Sequence, residues 1–236
     1  MPAPGLTWQY QLSGSVDITV DAQVFDIDGL DTPASVVADL EARGRKTICY
    51  IDAGTRENWR SDAPSWPRAV IGKADEGWPG EFWVDIRQTA VLMPLIDARL
   101  DVCRAKGFDG VEFDNVDGYQ NNTGFPLTAH DQLAFDRDLA AAAHARGLAA
   151  GLKNDAAQVH DLVGSFDFEV DEECVVYDEC VDLQPFVEAG KAVFHVEYSI
   201  SLTRACAPPD SGLSTILKHR DLDAWREICP GGPGNT

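Results

Sequence analysis

The chain is short of cations, of histidine and of long apolar runs, and each shortage removes a class of function. Only 19 of its 236 residues are Lys or Arg, against 39 Asp or Glu, which leaves a formal charge of −20 and a pI near 4.4. Such a surface repels phosphate backbones, so nucleic acid is not an expected partner. No apolar run approaches the ~20 residues of a spanning helix, so a membrane is not expected either. The five histidines and six cysteines contain no CxxC pair and no zinc-site spacing. There is no GxSxG and no Cys–His arrangement for a nucleophile. The opening "MPAPGLTWQY" has neither a basic nor an apolar leader segment. That leaves either an intracellular chain or one whose leader is not in this sequence.

What is present is a hydrophobic share of 44%, enough for one sizeable core. The acidity either keeps the protein dissolved or attracts a cationic substrate. Cys174 and Cys180 bracket a short acidic loop, and Cys206 and Cys229 bracket the C-terminal segment. Both pairs read as disulfides, which points to an oxidising compartment and a secreted protein. Cys49, on a strand, and Cys103, on a helix, either pair or stay as buried thiols.

Short apolar strands alternate with amphipathic helices from end to end. The strand-like runs are 22–28, 46–52, 81–86, 109–115, 148–155, 166–172, 191–199 and 213–219. Between them, "TPASVVADLEARG" has Thr32 as cap and Pro33 in its first turn, and stops at Gly44. Two longer helical stretches, 89–107 and 128–147, each end in basic residues and a glycine, and 154–164 is a shorter version. Eight βα units without a linker predict a (β/α)8 TIM-type barrel, with residues 1–236 as a single domain. Only the tail "PGGPGNT" is loose.

Two connections, 53–81 and 116–128, are too long for turns. Both follow strands, which places them at the C-terminal face where barrel active sites form. They carry Trp59, Trp66, Trp78, Tyr119 and Phe125, with Trp83 just beyond. Single aromatics of this kind anchor loops. Several on one face suit stacking against sugar rings.

Alternation along a strand assigns faces. With Phe25, Ile27, Cys49, Ile51, Val84, Val111, Phe113, Ala150 and Leu152 turned to the helices, the interior receives Asp26, Asp28, Tyr50, Asp52, Trp83, Asp85, Glu112, Asp114, Gly151 and Lys153. His195 and Glu197 are assigned to the same face of the seventh strand. Burying unpaired charge costs several kcal/mol or more. An ion network around Lys153 and Glu112 accounts for some of these acids but cannot neutralise all of them. A divalent cation is one use for the remainder, yet "DIDGLD" (26–31) has its glycine misplaced for a calcium loop and Val37 at the twelfth position. No metal or cofactor is therefore expected. Glycoside hydrolysis by two facing carboxyls is another. Asp114 ends the fourth predicted strand and Glu172 the sixth.

In order along the chain, "WQYQLSG", "FDID", "CYIDAG", "EFWVDI", "GFDGVEFDNVDGY", "GLKND" and "FEVDEECVVYDEC" resemble glycoside hydrolase family 114, from Trp8 to about Tyr198. The resemblance implies a TIM-barrel endo-α-1,4-polygalactosaminidase acting on a cationic galactosamine polymer. It implies catalytic Asp114 and Glu172. Substrate binding would fall to Asp26, Tyr50, Asp52, Trp83, Asp85, Asn115, Lys153, Asn154, Glu197 and Tyr198. The family's usual Asn-Glu reads Asp171-Glu172 here, which keeps Glu173 as an alternative acid, and Glu112 stands where relatives often carry an apolar residue. The expected partner is the polysaccharide alone, with the protein a monomer. The rival readings are a divalent-cation-dependent barrel hydrolase and an inactive sugar-binding protein.

Overall fold

Twelve strands and seven α-helices follow one another in the computed structural model, which describes residues 2–206 and 212–230. Residues 231–236, most of the loose tail, lie outside them. The chain begins with β1 (Trp8–Gln11), β2 (Val24–Asp28), α1 (Ala34–Ala42) and β3 (Lys46–Asp52). A small antiparallel sheet comes next, with β4 (Thr55–Glu57), β5 (Ile71–Ala74) and β6 (Glu81–Val84) in the order β4-β6-β5. The remainder is α2 (Thr89–Lys106), β7 (Gly110–Asp114), α3 (Ala129–His144), β8 (Ala149–Lys153), α4 (Val159–Leu162), β9 (Phe168–Glu172), α5 (Cys174–Tyr177), α6 (Gln184–Glu188), β10 (Val193–Glu197), α7 (Leu202–Ala205), β11 (Ser214–Leu217) and β12 (Glu227–Ile228).

Eight parallel strands, β1-β2-β3-β7-β8-β9-β10-β11, form the wall, with β12 antiparallel on β11. This is the TIM-type (β/α)8 barrel. The seam between β1 and β11 is closed by other bonds: Trp8 Nε1 donates to Ser214 O at 2.7 Å, Gln9 Nε2 to Ala224 O at 2.8 Å, and Leu12 N to Leu222 O at 3.0 Å.

Two expectations about the strands change. The run 81–86 supplies β6 of the small sheet, and the first barrel strand is instead Trp8–Gln11, all four residues of which are buried. Alternation shows that a segment is a strand but not which sheet it joins. The second change concerns β10. Phe194 and Val196 pack in the inner cluster with Trp8, Tyr10, Phe168 and Val170, whereas Val193 belongs to the cluster under the helices. His195 and Glu197 therefore point outward. "VFHVE" is buried on both faces, so its polarity gives no orientation. The parity holds for β2, β3, β7 and β8, where Phe25, Ile27, Cys49, Ile51, Val111, Phe113, Ala150 and Leu152 all lie under the helices.

Helix punctuation is as expected for α2, which ends at left-handed Gly107, and for α3, which is followed by left-handed Gly147; Thr128 and Asp131 add a capping box at the start of α3. α1 starts one residue beyond Pro33 and has no side-chain cap, so Thr32 does not serve. Inside the barrel a β-carbon on Gly151 would lie 2.3 Å from the Phe168 ring, so only glycine lets that ring fill the core. Three disulfides are present: Cys49–Cys103 ties β3 to α2, Cys174–Cys180 closes the loop after β9, and Cys206–Cys229 joins α7 to the segment beyond β12.

Candidate active site

Three neighbouring strands end in a polar residue aimed at one cleft: Asp114 on β7, Lys153 on β8 and Glu172 on β9. Each is followed by a non-glycine residue in the left-handed region, Asn115 (φ 60°), Asn154 (φ 51°) and Glu173 (φ 64°). Such conformations cost roughly 1–3 kcal/mol each and persist where the surroundings fix them. Asn115 N donates to Asp114 Oδ1 at 2.9 Å, and its Nδ2 donates to Asp52 Oδ2 at 2.9 Å. Asn154 N donates to Val170 O at 3.0 Å while its Oδ1 accepts from Glu172 N at 2.9 Å. Glu173 N donates to Val196 O at 2.8 Å. The kinks lift the three side chains off the sheet and hold them there.

Lys153 is the hub. Its Nζ lies 2.8 Å from Glu112 Oε1, 3.2 Å from Asp114 Oδ1 and 3.6 Å from Glu172 Oε2, and it donates to Tyr10 OH at 3.0 Å. Burial opposes its charge, but Asp114, Glu112 and Glu172 outweigh that and hold the ammonium well above its ordinary value. Tyr50 OH donates to Asp114 Oδ2 at 2.6 Å, so three donors fix Asp114. Tyr198 OH donates to Glu172 Oε1 from behind. Beneath the hub, burial and then the Glu112 charge push Asp26 well above the carboxylate range, so it sits there as a neutral acid. The ion network expected around Lys153 and Glu112 is present, and the acid pair above it shares its cation.

The cleft has a volume of about 480 Å³, and among the described residues nine carboxylates against three cations line it. Tyr50, Trp83, Asn115 and Asn154 join Asp114, Lys153 and Glu172 on its wall. Asp26 and Asp52 have no exposed surface and support the floor from below. Asp85 is turned away to Arg87, which it meets at 2.7 and 2.9 Å, and those bonds hold it below its ordinary value. Glu197 is corrected too: on the outer face, its Oε1 accepts from Val175 N at 2.8 Å and lies 3.0 Å from His195 Nε2. Neither Asp85 nor Glu197 is brought to the cleft. Glu173, the alternative acid, does not line it; it is nearly buried beside Ser199.

Of the loop aromatics, Trp59 and Trp78 stand exposed at the rim and Trp83 forms wall. Trp66 is an anchor, buried beneath the Arg99 guanidinium. Tyr119 OH donates to Asp155, and Phe125 packs at Gly72.

Several wall residues escaped the sequence reading. Tyr10 is one, although "WQYQ" alternates as an inward-facing strand should. Glu81 and Asp117 are others, each placed by one of the two long connections. Arg60 is a fourth, bonding Asp28 at 2.6 Å, Asp31 at 2.9 Å and Glu57 at 2.7 Å. No local pattern announces an arginine that gathers two distant acids, Asp28 and Asp31, with its neighbour Glu57. Among the described residues, two groups stand close enough to share a metal ion. Cys174, Cys180 and His195 have their thiols spent in a disulfide, and His219, Asp221 and Asp223 lie at the surface.

The sequence fits the model of glycoside-hydrolase family GH114 over residues 1–233. An uncharacterized protein of Deinococcus radiodurans is 30% identical over 231 residues, covering 84% of this chain and 72% of the relative. The crystal structure of Aspergillus fumigatus Ega3 in complex with galactosamine matches with a TM-score of 0.93 and 39% identity, covering 97% of this chain and 96% of that one. The glycoside hydrolase domain of PelA from Pseudomonas aeruginosa matches with a TM-score of 0.71 over 96% of this chain and 99% of that one. At 13% identity that likeness is one of fold.

Proposed function

Because this chain belongs to glycoside-hydrolase family GH114, and is thereby a glycosidase, we propose that it cleaves internal α-1,4 linkages of a cationic galactosamine polymer with Asp114 and Glu172. The observation that carries the reading is the pair of strand-end carboxylates sharing the Lys153 ammonium on the wall of an acid-rich cleft. The likeness to a protein solved with galactosamine supports the substrate class. The excess of carboxylates supports it independently, since it draws in polymer whose amines are protonated.

In this reading Glu172 gives its proton to the glycosidic oxygen as the bond to the anomeric carbon breaks. Asp114 supplies an oxygen to that carbon, or stabilises its positive charge. Water then attacks the carbon, losing its proton to Glu172 and releasing Asp114 as a free carboxylate where it had bonded, and the first state returns. One ammonium reaches both carboxylates, at 3.2 and 3.6 Å. Their near oxygens are therefore too close for most of the ~6.5–9.5 Å range of inverting pairs, which favours the ~5–5.5 Å retaining arrangement. Glu172 is preferred to Glu173 because only Glu172 lines the cleft. Tyr50, Trp83, Asn115, Lys153, Asn154 and Tyr198 orient substrate and acids. The whole of residues 1–236 acts as one catalytic domain, as a monomer, with the polysaccharide as its partner. Three disulfides favour an extracytoplasmic, secreted setting.

The test is a reducing-end assay on de-N-acetylated galactosamine polymer, with the fully acetylated form as control. Asp114→Asn and Glu172→Gln are each expected to lower turnover by about 10²-fold or more, with circular dichroism unchanged. Glu173→Gln should do much less. Full activity in Asp114→Asn would sink the mechanism, and full activity in Glu172→Gln with loss in Glu173→Gln would move the acid by one residue.

A further inference from the structure

The cleft carboxylates separate by whether the protein supplies them a cation. Asp28, Asp31 and Glu57 have Arg60, and Glu57 also has Arg99 at 3.3 Å. Asp114 and Glu172 have Lys153. Among the described residues, Asp75, Glu81, Asp117 and Asp221 line the cleft with no Lys, Arg or His within ion-pair distance. Asp221 is open to solvent, and Asp75 is partly satisfied by its own turn, through Gly77 N.

Glu81 and Asp117 differ from those two. Glu81 is 6% exposed; its Oε2 accepts from Thr55 Oγ1 at 3.1 Å and Asn115 Nδ2 at 3.3 Å, and the Asp52 carboxyl also bonds to it. Asp117 is half-buried, and its Oδ1 accepts from Asn121 Nδ2 at 3.2 Å. Both stand in the field of Asp114. Burial and then that charge push Glu81 up to about 7 and Asp117 to about 6. Glu57 and Asp52 also face Glu81, while Lys153 reaches Asp117 only as a weak opposing influence. Carboxylates wholly or partly withdrawn from water and lacking a counter-ion are costly to ionise, and a cation that enters with the substrate removes the cost. An ammonium does so, and a neutral acetamide does not.

We propose that Glu81 and Asp117, each delivered by one of the two long connections, recognise substrate ammonium groups beside Asp114 and so select free-amine over N-acetylated galactosamine units. This rests on the galactosamine reading above and adds the residues that discriminate within it.

The experiment measures kcat and KM on free-amine and fully N-acetylated polymer, and calorimetric binding of galactosamine and N-acetylgalactosamine, for wild type, Glu81→Gln and Asp117→Asn. A charge-assisted hydrogen bond corresponds to about ten- to a hundredfold. Each variant should lose that factor in kcat/KM on free-amine polymer, mostly through KM, and lose at least tenfold less on acetylated polymer. The charge-keeping Glu81→Asp and Asp117→Glu should recover part of the preference. Equal losses on both polymers, or an unchanged preference, would overturn the proposal. The binding arm separates it from the parent reading. Wild type that cleaves neither polymer, yet prefers the free amine through Glu81 and Asp117, overturns the activity alone. Equal affinity for the two sugars, or none for either, overturns the discrimination.

Discussion

Burial pushes Asp171 well above the carboxylate range, and Glu179 and Glu172 add to the rise. A protonated Asp offers one donor and acceptor oxygens, much as Asn does. Asp171 faces outward, and its Oδ1 accepts from Cys174 N at 3.2 Å. Asp155 shows the same effect with a measurable consequence. Burial raises it from 3.8 to about 8, against the opposing bond from Tyr119 OH. The folded chain thus keeps a neutral carboxyl where the unfolded chain ionises. Its stabilising contribution is full below 3.8 and is lost as pH rises through 8. Melting temperature should therefore fall between pH 4 and pH 9. Asp155→Asn, which suits the left-handed backbone there (φ 50°), should flatten that fall by several degrees. Thermal melts across the range check this, and an unchanged slope would assign the loss to other groups.

The element that matters most is the turn from β9 into α5. Asp171 holds Cys174 N, Glu197 holds Val175 N, and Cys174–Cys180 closes the loop that follows. Glu197 is itself fixed by His195, which meets Thr215 Oγ1 with its other nitrogen at 3.0 Å. These outward groups never meet a ligand in the cleft, yet they brace the kink that carries Glu172. Leaving a buried N–H without an acceptor costs about 1–3 kcal/mol. Glu197→Ala is expected to lower kcat severalfold with little change in KM, and Glu197→Gln, which keeps an acceptor oxygen, should recover most of it. A rise in KM at constant kcat would instead return Glu197 to the substrate-binding set.

Across the whole molecule the charge of −20 is concentrated where it can act, since the cleft carries nine carboxylates and three cations. Attraction at such a surface is screened over ~10 Å at 0.1 M salt. For a polymer with protonated amines, KM should rise severalfold between 0.05 and 0.5 M salt while kcat stays nearly constant. Initial-rate measurements at several ionic strengths decide it. A salt-independent KM would assign the acidity to solubility.

The sequence by itself determined the barrel class, most of its strands, the ends of its two long helices, and the facing of β2, β3, β7 and β8. Those properties follow from local periodicity and capping, which act within a few residues. It also held the ordered blocks that place Asp114, Lys153 and Glu172 at successive strand ends. Only the tertiary structure decided that Trp8–Gln11 enters the barrel while 81–84 leaves it, because period-two alternation does not specify a partner strand. It turned β10 over, because a strand buried on both faces carries no amphipathic signal. It also settled which acids have cations: Arg60 reaches Asp28 and Asp31 across about thirty residues, and among the described residues Glu81 and Asp117 reach the cleft with none. Ion pairing depends on distance in space, and separation along the chain does not encode it.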